Sequence, residues 1–123
     1  MIEIKKIEED SRGCDYSGSF KGKEFLMFYL KKGAPKGGHY HNKKCVHFII
    51  FGKLKLRCKG LNHKKETIRT VKSGDVVVVK PKVIHLFVAK EDSLLLEIKE
   101  RGLQTFKYEP YRKLINAFIR KMG

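Results

Sequence analysis

Four of the five histidines gather near two turns: His39, His41 and His47 follow the pair Gly37-Gly38, and His85 follows Pro81, while His63 stands apart. In an extended strand alternate residues share a face, so His39 and His41 project together with Cα atoms roughly 6.5 Å apart. That separation lets two imidazoles bind one metal ion, and a third ligand must then come from elsewhere in the fold. His47 lies two residues beyond Cys45, so both face one side of the next apolar run. The imidazole of His47 can serve as a fourth ligand or as a general acid and base. Cys45 is either a small buried hydrophobe or a soft thiolate ligand. Lys43 and Lys44, with Lys31, Lys32 and Lys36 before them, are expected to crowd one mouth of the fold and draw in an anion.

The elements that must position these groups are short and β-rich. Glu24 to Leu30, Cys45 to Phe51, Lys53 to Cys58, Asp75 to Val79, Ile84 to Ala89 and Leu94 to Ile98 read as strands. They are punctuated by Gly33-Ala34-Pro35, Gly37-Gly38, Gly52, Lys59-Gly60-Leu61-Asn62, Ser73-Gly74-Asp75 and Glu91-Asp92-Ser93. Turns at that spacing suit an all-β sandwich or barrel. The polar stretch from Glu9 to Lys23 reads as loop. From Pro110 onward Leu114, Ile115, Phe118, Ile119 and Met122 recur at helical steps opposite Arg112, Lys113, Arg120 and Lys121. This predicts an amphipathic C-terminal helix over about 110–122 that lies on the sheet or on a partner subunit.

A chain of 123 residues with 41% hydrophobic and 33% charged residues has material for one core and predicts a single domain spanning 1–123. Lys plus Arg is 28 against 13 Asp plus Glu, a formal charge of +15 that attracts anions. Nucleic acid is one such anion, but no nucleic-acid motif is present, and the aromatic residues sit in strands among apolar neighbours as core residues do. No apolar run approaches the roughly 18 residues that span a bilayer, and Met1 to Lys6 lacks the apolar stretch of a signal peptide. Cys14, Cys45 and Cys58 form no CxxC pair and cannot all pair within one chain. A soluble, cytoplasmic protein with reduced thiols is the expectation.

Two segments, GGHYHNKKCVHFIIFG from Gly37 to Gly52 and GDVVVVKPKVIH from Gly74 to His85, resemble the paired signature motifs of the cupin superfamily. The first motif of that family runs glycine, His-x-His, three or four residues, glutamate, six residues, glycine; the second runs from glycine through proline to histidine. The resemblance implies a double-stranded β-helix, or jelly-roll barrel, over about 25–99. It also implies metal ligation by His39, His41 and His85, and it favours a homodimer. The ion is then a divalent transition metal: Zn, Fe, Ni, Mn or Cu. Where many cupins carry a ligating glutamate this chain has Cys45, whose sulfur lies about 2 Å nearer its own Cα and falls short of a glutamate's reach.

Cupins host many reactions, so the resemblance fixes the fold more tightly than the chemistry. The leading expectation is a metal-binding cupin that binds or transforms a small anionic metabolite. His39-Tyr40-His41-Asn42-Lys43-Lys44 is similar to a stretch in cupin ketoisomerases and epimerases of sugar nucleotides. A three-histidine cupin with cysteine at the glutamate position is also similar to the cysteine dioxygenase group, which makes an iron-dependent thiol dioxygenase an alternative. A non-enzymatic ligand sensor or nucleic-acid module is a further one.

Overall fold

The computed structural model describes residues 2–21 and 23–122. Among these, the strands are β1 (Ile2–Asp10), β2 (Gly13–Phe20), β3 (Lys23–Leu30), β4 (Pro35–His41), β5 (Cys45–Phe51), β6 (Lys53–Gly60), β7 (Thr67–Lys72), β8 (Val76–Val79), β9 (Val83–Ala89), β10 (Ser93–Ile98) and β11 (Thr105–Lys107), followed by helix α1 (Glu109–Met122). They form two antiparallel sheets, ordered β1-β2-β3-β10-β5-β8 and β11-β4-β9-β6-β7. Strands adjacent in each sheet are mostly distant in the chain, as in a jelly roll.

The interior between the sheets follows from period-two alternation. Cys45, His47 and Ile49 are buried along β5 while their neighbours are less so, and Ser93, Leu95 and Glu97 do the same along β10. Phe28, Leu30, Ile49, Leu54, Phe87 and Leu95 fill one end of the space as an apolar core. Removing those side chains from water supplies the driving force for closing the barrel.

Strand β4 decides which side chains enter the other end. Lys36 pairs with Phe87 and Gly37 with Leu86, but His39 pairs with His85, so Gly38 is an extra residue opposite no partner. Such a bulge inverts the inward and outward sets beyond it. Before it Lys36 reaches inward, forming an ion pair with Asp15 and lying over the Phe28 ring. Beyond it His39 and His41 take the interior and Tyr40 is turned out, where it stacks on Phe106 with ring centroids 5.3 Å apart. Gly38 has φ +71°, and an added Cβ would lie 3.2–3.3 Å from Arg112, Tyr111 and Ile115 of the helix. Only glycine meets both conditions without strain.

Helix α1 starts with Pro110 in its first turn and ends on Arg120 and Lys121, the polarity its macrodipole favours. Its buried Tyr111 and Ile115 pack with Ile84 and Leu86 on the outer face of the β4-containing sheet. The outer face of the other sheet is just as apolar. Leu96 stands between Met27 and Phe48, and Phe48 and Val46 face Val76 and Val78. Among the described residues no helix covers it, and Val76 and Val78 are 55% and 54% exposed.

The stretch from Glu9 to Lys23, read from sequence as loop, is instead the end of β1 and all of β2, paired along its length with β1 and β3. Its polarity misled because its charges are matched in the fold: Arg12 binds Asp10 at 2.8 Å, and Asp15 meets Lys36 of β4. Strand β7 likewise carries mostly exposed residues and gave no apolar alternation to read.

Replacing Gly38 by Ala tests the bulge and its contact with the helix. The variant is expected to lose about 2 kcal/mol of stability in urea unfolding, because the Cβ adds positive-φ strain and a close contact with α1. An unchanged midpoint would show that the bulge is not constrained in this way.

Candidate metal centre

At the bulged end of the barrel the interior turns polar. His39 on β4 stands directly opposite His85 on β9, and His47 on β5 directly opposite Glu97 on β10. Ring centroids are 4.7 Å apart for His39 and His41, 4.8 Å for His39 and His85, and 5.2 Å for His41 and His85. One nitrogen from each of the three lies within 4.8 Å of the other two. Nitrogens at about 2.0–2.1 Å from a common ion are spaced on that scale.

The outer edges of two of these rings are pinned. Nδ1 of His85 is 3.2 Å from the Val83 carbonyl oxygen, and Nδ1 of His41 is 3.0 Å from Thr105 Oγ1. A carbonyl only accepts, so Nδ1 of His85 carries the proton and its Nε2 keeps a lone pair. Nε2 of His85 and Nε2 of His41 are both buried and have no hydrogen-bond partner among the described residues. An unpaired buried polar atom costs roughly 1–3 kcal/mol. Two of them converging with a third imidazole fit a divalent transition metal, the group that a histidine held through its other nitrogen is built to bind.

Protonation works in the same direction. Burial, reinforced by its neighbours His85 and His41, lowers His39 to about 2. Burial and the nearby His47 lower His85 to about 4, and burial lowers His41. All three are therefore neutral at physiological pH and present lone pairs, not charges. His39 is the half-buried member at the mouth, whereas His41 and His85 are enclosed.

Cys45 and His47 face this same interior, as alternation along β5 requires. His47 packs on Phe87 and His85 at centroid distances of 5.0 and 5.9 Å. Cys45 is wholly buried, and its Sγ donates to Oε1 of Glu97 at 2.9 Å. Burial and the charge on Glu97 push its thiol well above the usual range, so it stands as a protonated donor. The other oxygen of Glu97 is 3.6 Å from Nε2 of His47. Burial by itself would raise Glu97, but His47 and the Cys45 thiol outweigh it and hold the carboxyl down at about 2.

Glu97 is the residue that sequence reasoning missed. It is the lone charge in the run Ser93-Leu94-Leu95-Leu96-Glu97-Ile98, in phase with buried Ser93 and Leu95, and that phase is the signal that could have found it. Thr105 was missed for lack of any pattern around it. Lys99, two residues beyond Glu97, is close enough to bear electrostatically on both His41 and Cys45.

The lysine expectation needs correction. Lys31, Lys32 and Lys36 do not join Lys43 and Lys44, because they lie before and at the start of β4, a seven-residue strand, while Lys43 and Lys44 follow its end. Lys36 is spent on Asp15, and the backbone of Lys32 binds Asp92. Lys44 is exposed, and Lys43 donates to the carbonyl of Arg101 at 2.7 Å, tying the 99–104 loop to the segment after β4.

No protein-family model matches the sequence, and no curated protein is similar to it at a significant level. Solved structures do match in shape. CapF, the capsular polysaccharide assembling protein of Staphylococcus aureus, superposes with a TM-score of 0.70 at 19% identity over 85% of this chain. Oxalate decarboxylase of Bacillus subtilis gives 0.71 at 18% identity, again over 85%. The Drosophila melanogaster CENP-C cupin domain gives 0.62 at 15% identity over 80% of this chain and 76% of its own length. The fold is that of a cupin. This chain spans only 34% of CapF and 30% of oxalate decarboxylase, so their activities belong to much longer chains. Mn(II) centres are a property of the B. subtilis oxalate decarboxylase.

The state of Cys45 is checkable in the native protein. Ellman's reagent at neutral pH is expected to leave Cys45 unmodified, identified by peptide mass spectrometry, over a period that labels all three cysteines in guanidinium. Prompt labelling of Cys45 in the folded chain would contradict its burial and raised pKa.

Proposed function

We propose that this cupin uses His39, His41 and His85 to hold a divalent transition metal and takes a small anionic metabolite at the mouth of its barrel. The observation that carries the reading is the pair of buried, unpartnered Nε2 atoms of His41 and His85, each on a ring fixed through Nδ1. When bound, such an ion supplies Lewis acidity and open positions for an oxygen-bearing ligand.

The chain's own groups do the rest. Thr105 and Val83 fix the imidazole planes, and the apolar end of the barrel, with Phe87 and Leu95, keeps water from below the site. Lys99 sets a positive potential at the mouth, with Lys44 beside it in solvent. His47 keeps Nδ1 without a partner and is the group placed to exchange a proton with a ligand. Cys45 shapes the wall. Within this reading a keto-sugar nucleotide is the favoured substrate, supported by the His-x-His-plus-lysine stretch from His39 to Lys44 and by the likeness in fold to a capsular polysaccharide assembling protein. The three free cysteines agree with a cytoplasmic setting.

Elemental analysis tests the metal. The purified protein is expected to carry or take up one divalent ion per chain, and a His39→Ala, His41→Ala double variant to lose it. A folded wild type that stays metal-free after incubation with Zn, Mn and Fe(II) would end the reading.

The working unit in this proposal is a homodimer joined through the outer face of the β3-β10-β5-β8 sheet. Four strands about 4.8 Å apart and about six residues long present roughly 400 Å² in projection, the size of the largest apolar patch on a typical monomer, which is often a site of interaction. On a chain of net charge +15 this face carries no charged side chain at its outward positions from Val46 to Phe48, Val76 to Val78 or Leu94 to Ile98, so a second copy meets it without repulsion at the contact. Light scattering after size exclusion is expected to give a dimer for the wild type and a monomer for Val76→Lys, Val78→Lys. A wild-type monomer at micromolar concentration would sink the interface.

A further inference from the structure

We propose that Glu97 is the fourth, anionic ligand of the metal centre, delivered from β10 in place of the first-motif residue that is Cys45 here. The inference rests on the three-histidine reading above and deepens it. Three observations carry it.

First, the position on β5 that faces the histidines is occupied by Cys45, whose side chain is shorter than a glutamate's. Its Sγ, a ligand atom of His41 and an oxygen of Glu97 lie within 4.8 Å of one another, a second group that shares His41 with the three-histidine group. Secondly, Glu97 is 6% exposed in the interior of the barrel and is the only carboxylate among the buried residues of that end. Its cross-strand partner is His47, and its strand neighbours Leu96 and Ile98 face the other way. A carboxylate is retained in such a place only where cations or hydrogen-bond donors meet it. Thirdly, its two present contacts leave acceptor capacity. The Cys45 thiol takes one lone pair of Oε1 at 2.9 Å, and Nε2 of His47 stands at 3.6 Å from Oε2, beyond a hydrogen bond. A carboxylate has about four lone-pair sites, so Glu97 can ligate with one oxygen while Cys45 steadies the other.

The same arrangement makes Cys45 a positioning residue. Its thiol donates to the carboxylate and does not compete with it for the ion. One negative charge beside three neutral imidazoles leaves a divalent ion with a net charge of +1, the balance a β5 glutamate would have given, reached from the neighbouring strand. The depressed pKa of Glu97 agrees with a carboxylate that is ionised throughout the working range.

Cobalt(II) is the probe, because it reports its ligands spectroscopically. With one equivalent of Co2+ added to the wild type, the expected result is a visible d–d spectrum, no near-ultraviolet sulfur-to-cobalt charge-transfer band, and an infrared carboxylate stretch that shifts on addition. Glu97→Gln is expected to alter the d–d spectrum and to weaken Co2+, in competition with a chelator, by more than the roughly 10–100-fold that loss of an outer-shell partner brings. Glu97→Asp should recover part of that loss. Cys45→Ala should keep the wild-type spectrum and lose no more than about 10-fold in affinity. A sulfur band in the wild type would give the fourth position to Cys45 and overturn the proposal, and this readout does not depend on any variant folding. Equal Co2+ affinity and spectrum in a folded Glu97→Gln variant would overturn it as well. Failure of the wild type to bind Co2+ at all would instead remove the three-histidine reading on which it stands.

Discussion

The barrel depends on a polar cluster that is satisfied at its edges and left open at its centre. Four imidazoles and a carboxylate occupy an interior that elsewhere holds phenylalanine, leucine and isoleucine, and polar groups so placed are stable only where something meets each of their atoms. A backbone carbonyl of β9 and a hydroxyl of β11 meet the outer nitrogens of His85 and His41, and β10 contributes the carboxylate that meets Cys45 and His47. What remains unmet points to one place. The polar end and the apolar end of the same cavity therefore divide the work: one closes the sheets, the other gives them something to hold.

Strands β3, β5, β6, β8, β9 and β10 were legible because each shows a run of β-branched, aromatic and leucine residues, whereas β4 is glycine-rich and β7 mostly exposed and neither was read as a strand. The helix was legible for the matching reason at period 3.6. The β1-β2 arm was not, since its charged side chains are met by one another and by Lys36 of β4, and no clear apolar alternation survives to be seen. Of the site, His39, His41 and His85 could be read from two motifs, and Cys45 and His47 from alternation along one strand. Glu97 could not be read from motif spacing, because its role depends on β10 lying beside β5, a neighbour 50 residues away in the chain. The grouping of the lysines failed for a related reason: closeness in sequence across a seven-residue strand is distance in space.

The two sheets differ in how their outer faces are treated. One has α1 laid across it, with Tyr111 and Ile115 on Ile84 and Leu86. The other is apolar on both sides, a pattern that antiparallel sheets usually show when both faces are covered. Positive charge is spread over the rest of the surface, and the mouth above the histidines receives its share through Lys99 and Lys44. The uncovered apolar face and the positively charged mouth thus lie on separate parts of the same molecule.

The supernumerary glycine of β4 makes the chemistry of this chain a matter of phase. Deleting that single position would leave every imidazole in the polypeptide, yet would swing both members of the His-x-His pair outward beneath the helix and put the Tyr40 phenol where they had been. A lineage could therefore gain or lose this histidine cluster through a three-nucleotide insertion or deletion, and relatives aligned residue for residue without a gap there would look matched while presenting opposite faces.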